Sequence, residues 1–178
     1  MTGSTSIHSP KYKWEVLWVV MIGTLMAALD QSIVNVSLPQ IMADFGSTVE
    51  DIEWVITGYM LAFATLMPLT AWLRDYIGYK RLYLASLVLF TGGSLLCAVS
   101  WNLPTLIAAR VIQALGGGAI TPTGMAMITE VFEPEERGKA IGYWGVGVIV
   151  GPAFGPTLGG YLTPVFGWRS IFTVTLPI

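Results

Sequence analysis

The chain has 178 residues, of which 54% are apolar and only 11% charged, with a mean hydropathy of +0.67. Soluble domains carry about 25% charged residues, so this is the composition of an integral membrane protein. The formal net charge is −2, and nine basic residues spread along the chain leave no basic patch for a phosphate backbone, which argues against a nucleic-acid partner. The single cysteine, Cys97, and the single histidine, His8, offer neither a disulfide framework nor a metal site.

Residues 1–13 are polar and read as a disordered tail. Spanning stretches are predicted near 15–38, 52–72, 82–101, 104–130 and 140–162, and a sixth apolar run starts near Trp168 and reaches Ile178. That last run is too short to cross a bilayer, so the chain reads as the N-terminal fragment of something longer. The first span is too long for a signal-peptide core, and no A-x-A cleavage pattern follows it.

The first span is dense in Trp, Val, Met and Leu until it reaches Asp30, Gln31, Ser32 and Asn35. A half-helix this polar calls for a cavity or another helix rather than lipid. In the link that follows, Ser47 and Glu50 have the spacing of a capping box for the second span. That span is apolar nearly all round, with Gly58 and with Pro68, which predicts a kink. The next stretch, AWLRDYIGYKRLYL (71–84), reads as a basic loop. There Asp75 ends one helix or caps the next, Gly78 makes the turn, and Lys80 and Arg81 anchor at headgroups. Gly92, Gly93 and Ser94 in the third span suit close packing.

The fourth span carries Arg110 about two turns in from its start. A permanent cation in hydrocarbon costs roughly 3 kcal/mol or more unless it finds a partner or water. Gln113 follows on the same helical face, and Gly116, Gly117 and Gly118 admit another backbone. Pro134, with Glu135 and Glu136 behind it, has the signature of a short surface helix start. In the fifth span Gly147, Gly151, Gly155 and Gly159 recur every four residues, with Pro152 and Pro156 one position further round. This predicts either a plain packing face or a dedicated hinge or interface.

Loop charges orient the chain. Lys11, Lys13, Arg74, Lys80, Arg81, Arg137 and Lys139 fall on one side, and Arg169 stands alone on the other with Asp44, Glu50, Asp51 and Glu53. The positive-inside rule makes the N-terminus cytoplasmic. Asp30 lies about 13 Å of helix before Pro39, and Arg110 about 9 Å after Pro104. In antiparallel spans the two sit within a turn of each other in depth. A buried Asp30–Arg110 pair, or a shared wet cavity, is therefore the expected centre. The alternative is two unrelated charges, with Arg110 snorkelling to the surface.

Four stretches carry a family likeness. LRDYIGYKR (73–81) resembles the loop signature between helices 2 and 3 of the major facilitator superfamily, with Asp75, Gly78, Lys80 and Arg81 in place but Ala71 and Tyr76 departing from it. RVIQALGGGA (110–119) is similar to the helix 4 signature of proton-coupled members, with Arg110, Gln113, Gly116 and Gly118 matching and Ala114 departing. GPAFGPTLGG (151–160) looks like the helix 5 antiporter signature: Gly151, Pro152, Gly155, Pro156, Gly159 and Gly160. LDQSIVNVSLP (29–39) resembles the helix 1 signature of the fourteen-helix drug:proton antiporters of EmrB/QacA type.

The likeness implies an all-α membrane protein of twelve or fourteen helices. Residues 14–178 would then be an incomplete N-terminal six-helix half, built from two inverted three-helix repeats in which helices 1 and 4 are equivalent. It implies multidrug efflux across the plasma (inner) membrane, a lipophilic or cationic small-molecule substrate, no cofactor beyond the proton gradient, and the remaining half of the chain as partner. Asp30, Arg110, Gln113 and Asn35 become the candidates for proton and substrate coupling. Asp75, with Gly78, Lys80 and Arg81, becomes the gate on the cytoplasmic side, and the fifth span becomes the bending element. A transporter of another metabolite and an inert fragment are the alternatives. The spans hold no Ser–His, Cys–His or paired-carboxylate arrangement, so an enzyme is not expected.

Overall fold

The computed structural model describes residues 10–175. It is all-α, with no strand among the described residues: α1 Pro10–Phe45, α2 Val49–Ile52, α3 Trp54–Ile77, α4 Tyr79–Ala98, α5 Leu103–Val131, α6 Pro134–Phe166 and α7 Ser170–Thr173. Five of these are long and apolar enough to cross a membrane. The predicted tail and the end of the sixth run fall partly beyond this range. Residues 1–9 and 176–178 lie outside the described residues, and residues 10–13 belong to α1 rather than to a tail.

The helices run further than hydropathy suggests, because apolar content marks the bilayer core and not the helix. At 36 residues, α1 is about 54 Å long, well beyond a hydrocarbon core of about 30 Å. It passes through Pro39 and stops at Gly46, whose φ of +59° is the left-handed conformation that ends helices. The predicted Ser47 cap is displaced by one residue: Thr48 Oγ1 accepts from the Asp51 amide, while the Ser47 hydroxyl has no partner. The predicted loop at 71–84 is not a loop. α3 continues to Ile77, so Arg74 and Asp75 sit in its last turn, and Gly78 alone, with φ +79°, separates it from α4. Asp75 caps nothing; its carboxylate accepts from Arg74 Nε at 3.0 Å.

Asn102 starts α5 with a full capping box. Its side chain accepts from the Thr105 amide at 2.9 Å, and Thr105 Oγ1 accepts from the Asn102 amide at 3.3 Å. No separate surface helix forms at Pro134. That proline is instead the first residue of a continuous α6 that carries Pro152, Pro156 and Pro164 internally and ends at Gly167, φ +81°. In a low-dielectric setting helix hydrogen bonds are too valuable to break for a surface turn, and interior prolines are tolerated.

Packing divides the bundle into two bodies. One is α1 laid along α6; the other is α5 between α3 and α4; α1 and α5 meet across a narrower seam. The glycine ridge of α6 explains the first body. Gly147, Gly151, Gly155 and Gly159 are buried against Met21, Ala28, Ser32 and Ile33 of α1. A Cβ on Gly151 would come within 2.5 Å of Ala28 Cβ and 2.9 Å of its carbonyl carbon. Pro152 and Pro156 face away and are exposed, and a Cβ added at Gly160 would meet nothing within 4 Å. Trp144 Nε1 donates to Thr24 Oγ1 at 3.1 Å, and the Ser37 and Thr163 hydroxyls bond at 2.7 Å. Lys13 pairs with Glu136 at one end. At the other end Asp44 accepts from Trp168 Nε1 at 2.9 Å and from Arg169 at 3.2 Å.

The three consecutive glycines of α5 explain the second body. A methyl on Gly116 would meet the Phe90 amide nitrogen of α4 at 2.4 Å, and one on Gly118 would meet the Phe63 carbonyl of α3 at 2.8 Å. Neighbouring glycines on one helix thus admit a backbone from each side. We expect Gly116→Ala to destabilise the full-length protein by about 1–3 kcal/mol, the usual cost of overpacking against a backbone that cannot yield. Gly92→Ala on α4, where nothing lies within 4 Å, should leave the melting temperature in detergent unchanged or raised.

Candidate functional site

The seam between the two bodies is where the charges are. Two apolar clusters fill the bundle. One gathers Val16, Leu17, Val20, Phe90, Ile120 and Ile128; the other gathers Ile33, Ile41, Leu106, Trp168 and Phe172. Asp30 on α1 and Arg110 and Gln113 on α5 sit where the clusters meet. They are among the most enclosed residues present, at 1%, 2% and 0% exposure.

The three side chains close a ring. Arg110 Nη1 donates to Asp30 Oδ2 at 2.6 Å and to Gln113 Oε1 at 2.7 Å. Gln113 Nε2 donates to Asp30 Oδ1 at 2.9 Å. Both carboxylate oxygens are thus occupied, and the glutamine reads acid and base together. The i+3 spacing of Arg110 and Gln113 turns both toward α1. Gly93 lets α4 come close behind them, since a Cβ there would fall 2.5 Å from Gln113 Cα. A buried ion pair is tolerated only when its remaining hydrogen-bonding capacity is met, and Gln113 meets much of it. The expected Asp30–Arg110 pair therefore exists as a direct contact, and Arg110 does not snorkel.

Three further groups complete the site, and hydropathy gave no signal for them. The Tyr59 ring of α3 lies 4.0 Å from the Arg110 guanidinium carbon, and the Phe172 ring of α7 lies at 5.8 Å. Cys97 Sγ of α4 donates to Gln113 Oε1 at 3.7 Å. Depth matching would have found Tyr59: it comes five residues after Trp54 and Arg110 seven after Leu103, in helices that start at the same end.

The remaining predicted residues lie elsewhere. Asn35 is exposed on α1; five residues from Asp30, it points about 140° away round the helix. Asp75, Lys80 and Arg81 are exposed around Gly78 at the basic end of the bundle. Arg74 lies 5.2 Å over the Tyr79 ring there. The α6 signature residues reach the site only indirectly: Gly151 and Gly155 contact Ala28 and Ser32, on either side of Asp30 in sequence, and Ser32 Oγ donates to the Gly151 carbonyl at 3.2 Å.

Removing one member of a buried pair strands the other charge. We expect Arg110→Ala to destabilise by about 3–5 kcal/mol. A double variant, Asp30→Asn with Arg110→Gln, should recover much of that loss in thermal unfolding. A double variant no more stable than Arg110→Ala would mean the ion pair does not govern the stability of the seam.

A sequence model of the Major Facilitator Superfamily matches residues 20–178. The chain is 43% identical over 168 residues to the riboflavin transporter RibZ of Clostridioides difficile, covering 94% of this chain and 37% of that protein. It is 42% identical over 160 residues to a multidrug resistance protein B homolog of Mycobacterium tuberculosis, covering 90% and 30%. It is 36% identical over 171 residues to the putative multidrug resistance protein MdtD of Serratia proteamaculans, covering 96% and 36%. The chain thus spans about a third of the length of these curated relatives. Among solved structures, a bacterial homolog of the human lysosomal transporter Spinster, in an inward-facing occupied conformation, superposes with a TM-score of 0.81 at 20% identity, covering 95% of this chain and 42% of that one; this likeness concerns the fold. With its five long apolar helices in that arrangement, the chain belongs to the major facilitator superfamily and is a multi-pass membrane protein of that transporter fold.

Proposed function

We propose that the chain is part of a proton-coupled exporter of lipophilic, often cationic, compounds, with its N-terminus and the basic end of the bundle in the cytoplasm. The observation that carries this reading is the enclosed Asp30–Arg110–Gln113 ring joining α1 to α5. It is a titratable link at the seam between two bodies that are otherwise internally well fastened. A proton on Asp30 removes the charge that holds Arg110 and weakens the seam, and its loss restores the grip. An anionic Asp30 also attracts a cationic compound, so proton and substrate compete for one carboxylate. The names of the mycobacterial and Serratia relatives support export of drugs.

A second reading, transport of a metabolite, is favoured by the relative named as a riboflavin transporter. Riboflavin is an uncharged, planar, polar molecule, so a carboxylate has no charge to hold.

Inverted membrane vesicles carrying the full-length protein and a lumenal pH dye separate these readings. Adding a lipophilic cation such as ethidium should drive proton release from acidified vesicles, and Asp30→Asn should abolish it. Release that persists unchanged in Asp30→Asn removes Asp30 from the coupling. Accumulation of riboflavin with no response to ethidium selects the second reading.

A further inference from the structure

Arg110 has more donors than its polar partners occupy. Nη1 serves both Asp30 and Gln113, while Nε is enclosed and has no hydrogen-bond partner. The guanidinium has an aromatic face beside it instead. Tyr59 is 1% exposed, with its ring centroid 4.0 Å from the guanidinium carbon. The ring is seated there because Gly117 has no side chain: a Cβ at that position would lie 2.7 Å from the Tyr59 hydroxyl oxygen. An aromatic face attracts a cation through its quadrupole, most strongly where both are out of water. In the ion pair the carboxylate shares the guanidinium's charge; with Asp30 neutral that charge acts on the face undivided, so the attraction is stronger in the protonated state, and that difference is what favours it.

This matters when Asp30 is neutral. Arg110 stays charged at any relevant pH and would then be a buried cation without a counter-ion, which is strongly unfavourable. We propose that Tyr59 is a positioning residue that keeps the Arg110 guanidinium seated in the bundle while Asp30 is neutral, and so makes the protonated state of the site accessible. The proposal rests on the proton-coupled reading above. Among the described residues the groups around the Asp30–Arg110 pair are few, and only Arg110 and Gln113 bond the Asp30 carboxylate directly. Arg110 and Gln113 come from α5, Tyr59 from α3, Cys97 through Gln113 from α4, and Phe172, more distant, from α7. From α6, Gly151 and Gly155 pack on Ala28, Leu29, Ser32 and Ile33 and bring no charged side chain.

The test uses full-length protein and follows the pH midpoint of ethidium-driven proton release. Tyr59→Leu keeps an apolar side chain but loses the ring. Its midpoint should move to lower pH, by at most roughly 1.5 units, the full cation–π strength expressed as proton affinity, since only the part gained when Asp30 is neutral counts. Tyr59→Phe should return the midpoint toward that of the wild type. If Tyr59→Leu fails to assemble, 3,4,5-trifluorophenylalanine at position 59 keeps the shape and weakens the face; it should shift the midpoint in the same direction relative to Tyr59→Phe. An unmoved midpoint in Tyr59→Leu, or in the fluorinated variant where that one is used, overturns the role of Tyr59 and leaves the coupling reading standing. A wild type that releases no protons with ethidium or riboflavin defeats the coupling reading, and this inference with it.

Discussion

The structure depends on one constraint: a guanidinium that cannot give up its charge is held almost fully buried inside the bundle. Everything around Arg110 answers to that. Asp30 supplies the opposite charge, Gln113 bridges the pair, and Tyr59 covers the face. The close approach of α3 and α4 needed to enclose the group is made possible by three adjacent glycines. Replacing a buried ion pair with well-packed hydrocarbon is often neutral or stabilising, so the pair alone is weak evidence for stability.

The arrangement is balanced about that centre. α5 takes α3 along its flank as α1 takes α6, which is what two inverted three-helix repeats produce. The two flanking contacts are built differently. The α1–α6 contact is a ridge of glycines at one-turn intervals, with a proline on the far side of two of them. The α3–α5 contact is made at a concentrated run of small residues beside the charged ring. The glycine ridge is thus both a packing face and part of the support for the segment of α1 that carries Asp30.

How far the sequence reveals this differs between elements. The five long helices and the antiparallel meeting of Asp30 and Arg110 follow from hydropathy and from counting rise per residue. Helix ends were harder to read. Pro39 reads as an exit, but Gly46 is where the chain turns left-handed; Pro134 reads as a separate surface helix, but it opens α6. In both places the signal that won was local backbone conformation rather than apolar content. Asn35 shows the limit of reading polarity alone, since its position on the helix circumference, not its chemistry, keeps it from the ring. Tyr59 and Phe172 were hidden because an aromatic residue in an apolar span looks like ordinary filling; only their depth relative to Arg110 distinguishes them.

The junction at Gly78 has a mechanical consequence. One residue joins α3 to α4, and its amide is already bonded to the Arg74 carbonyl at 2.8 Å. A joint with no slack forbids axial sliding of one helix past the other. What holds the two at a fixed angle is α5, along which both are packed. Rearrangement must then be taken up at the interface with α1, which gives the rest of the bundle a stiff arm to work against.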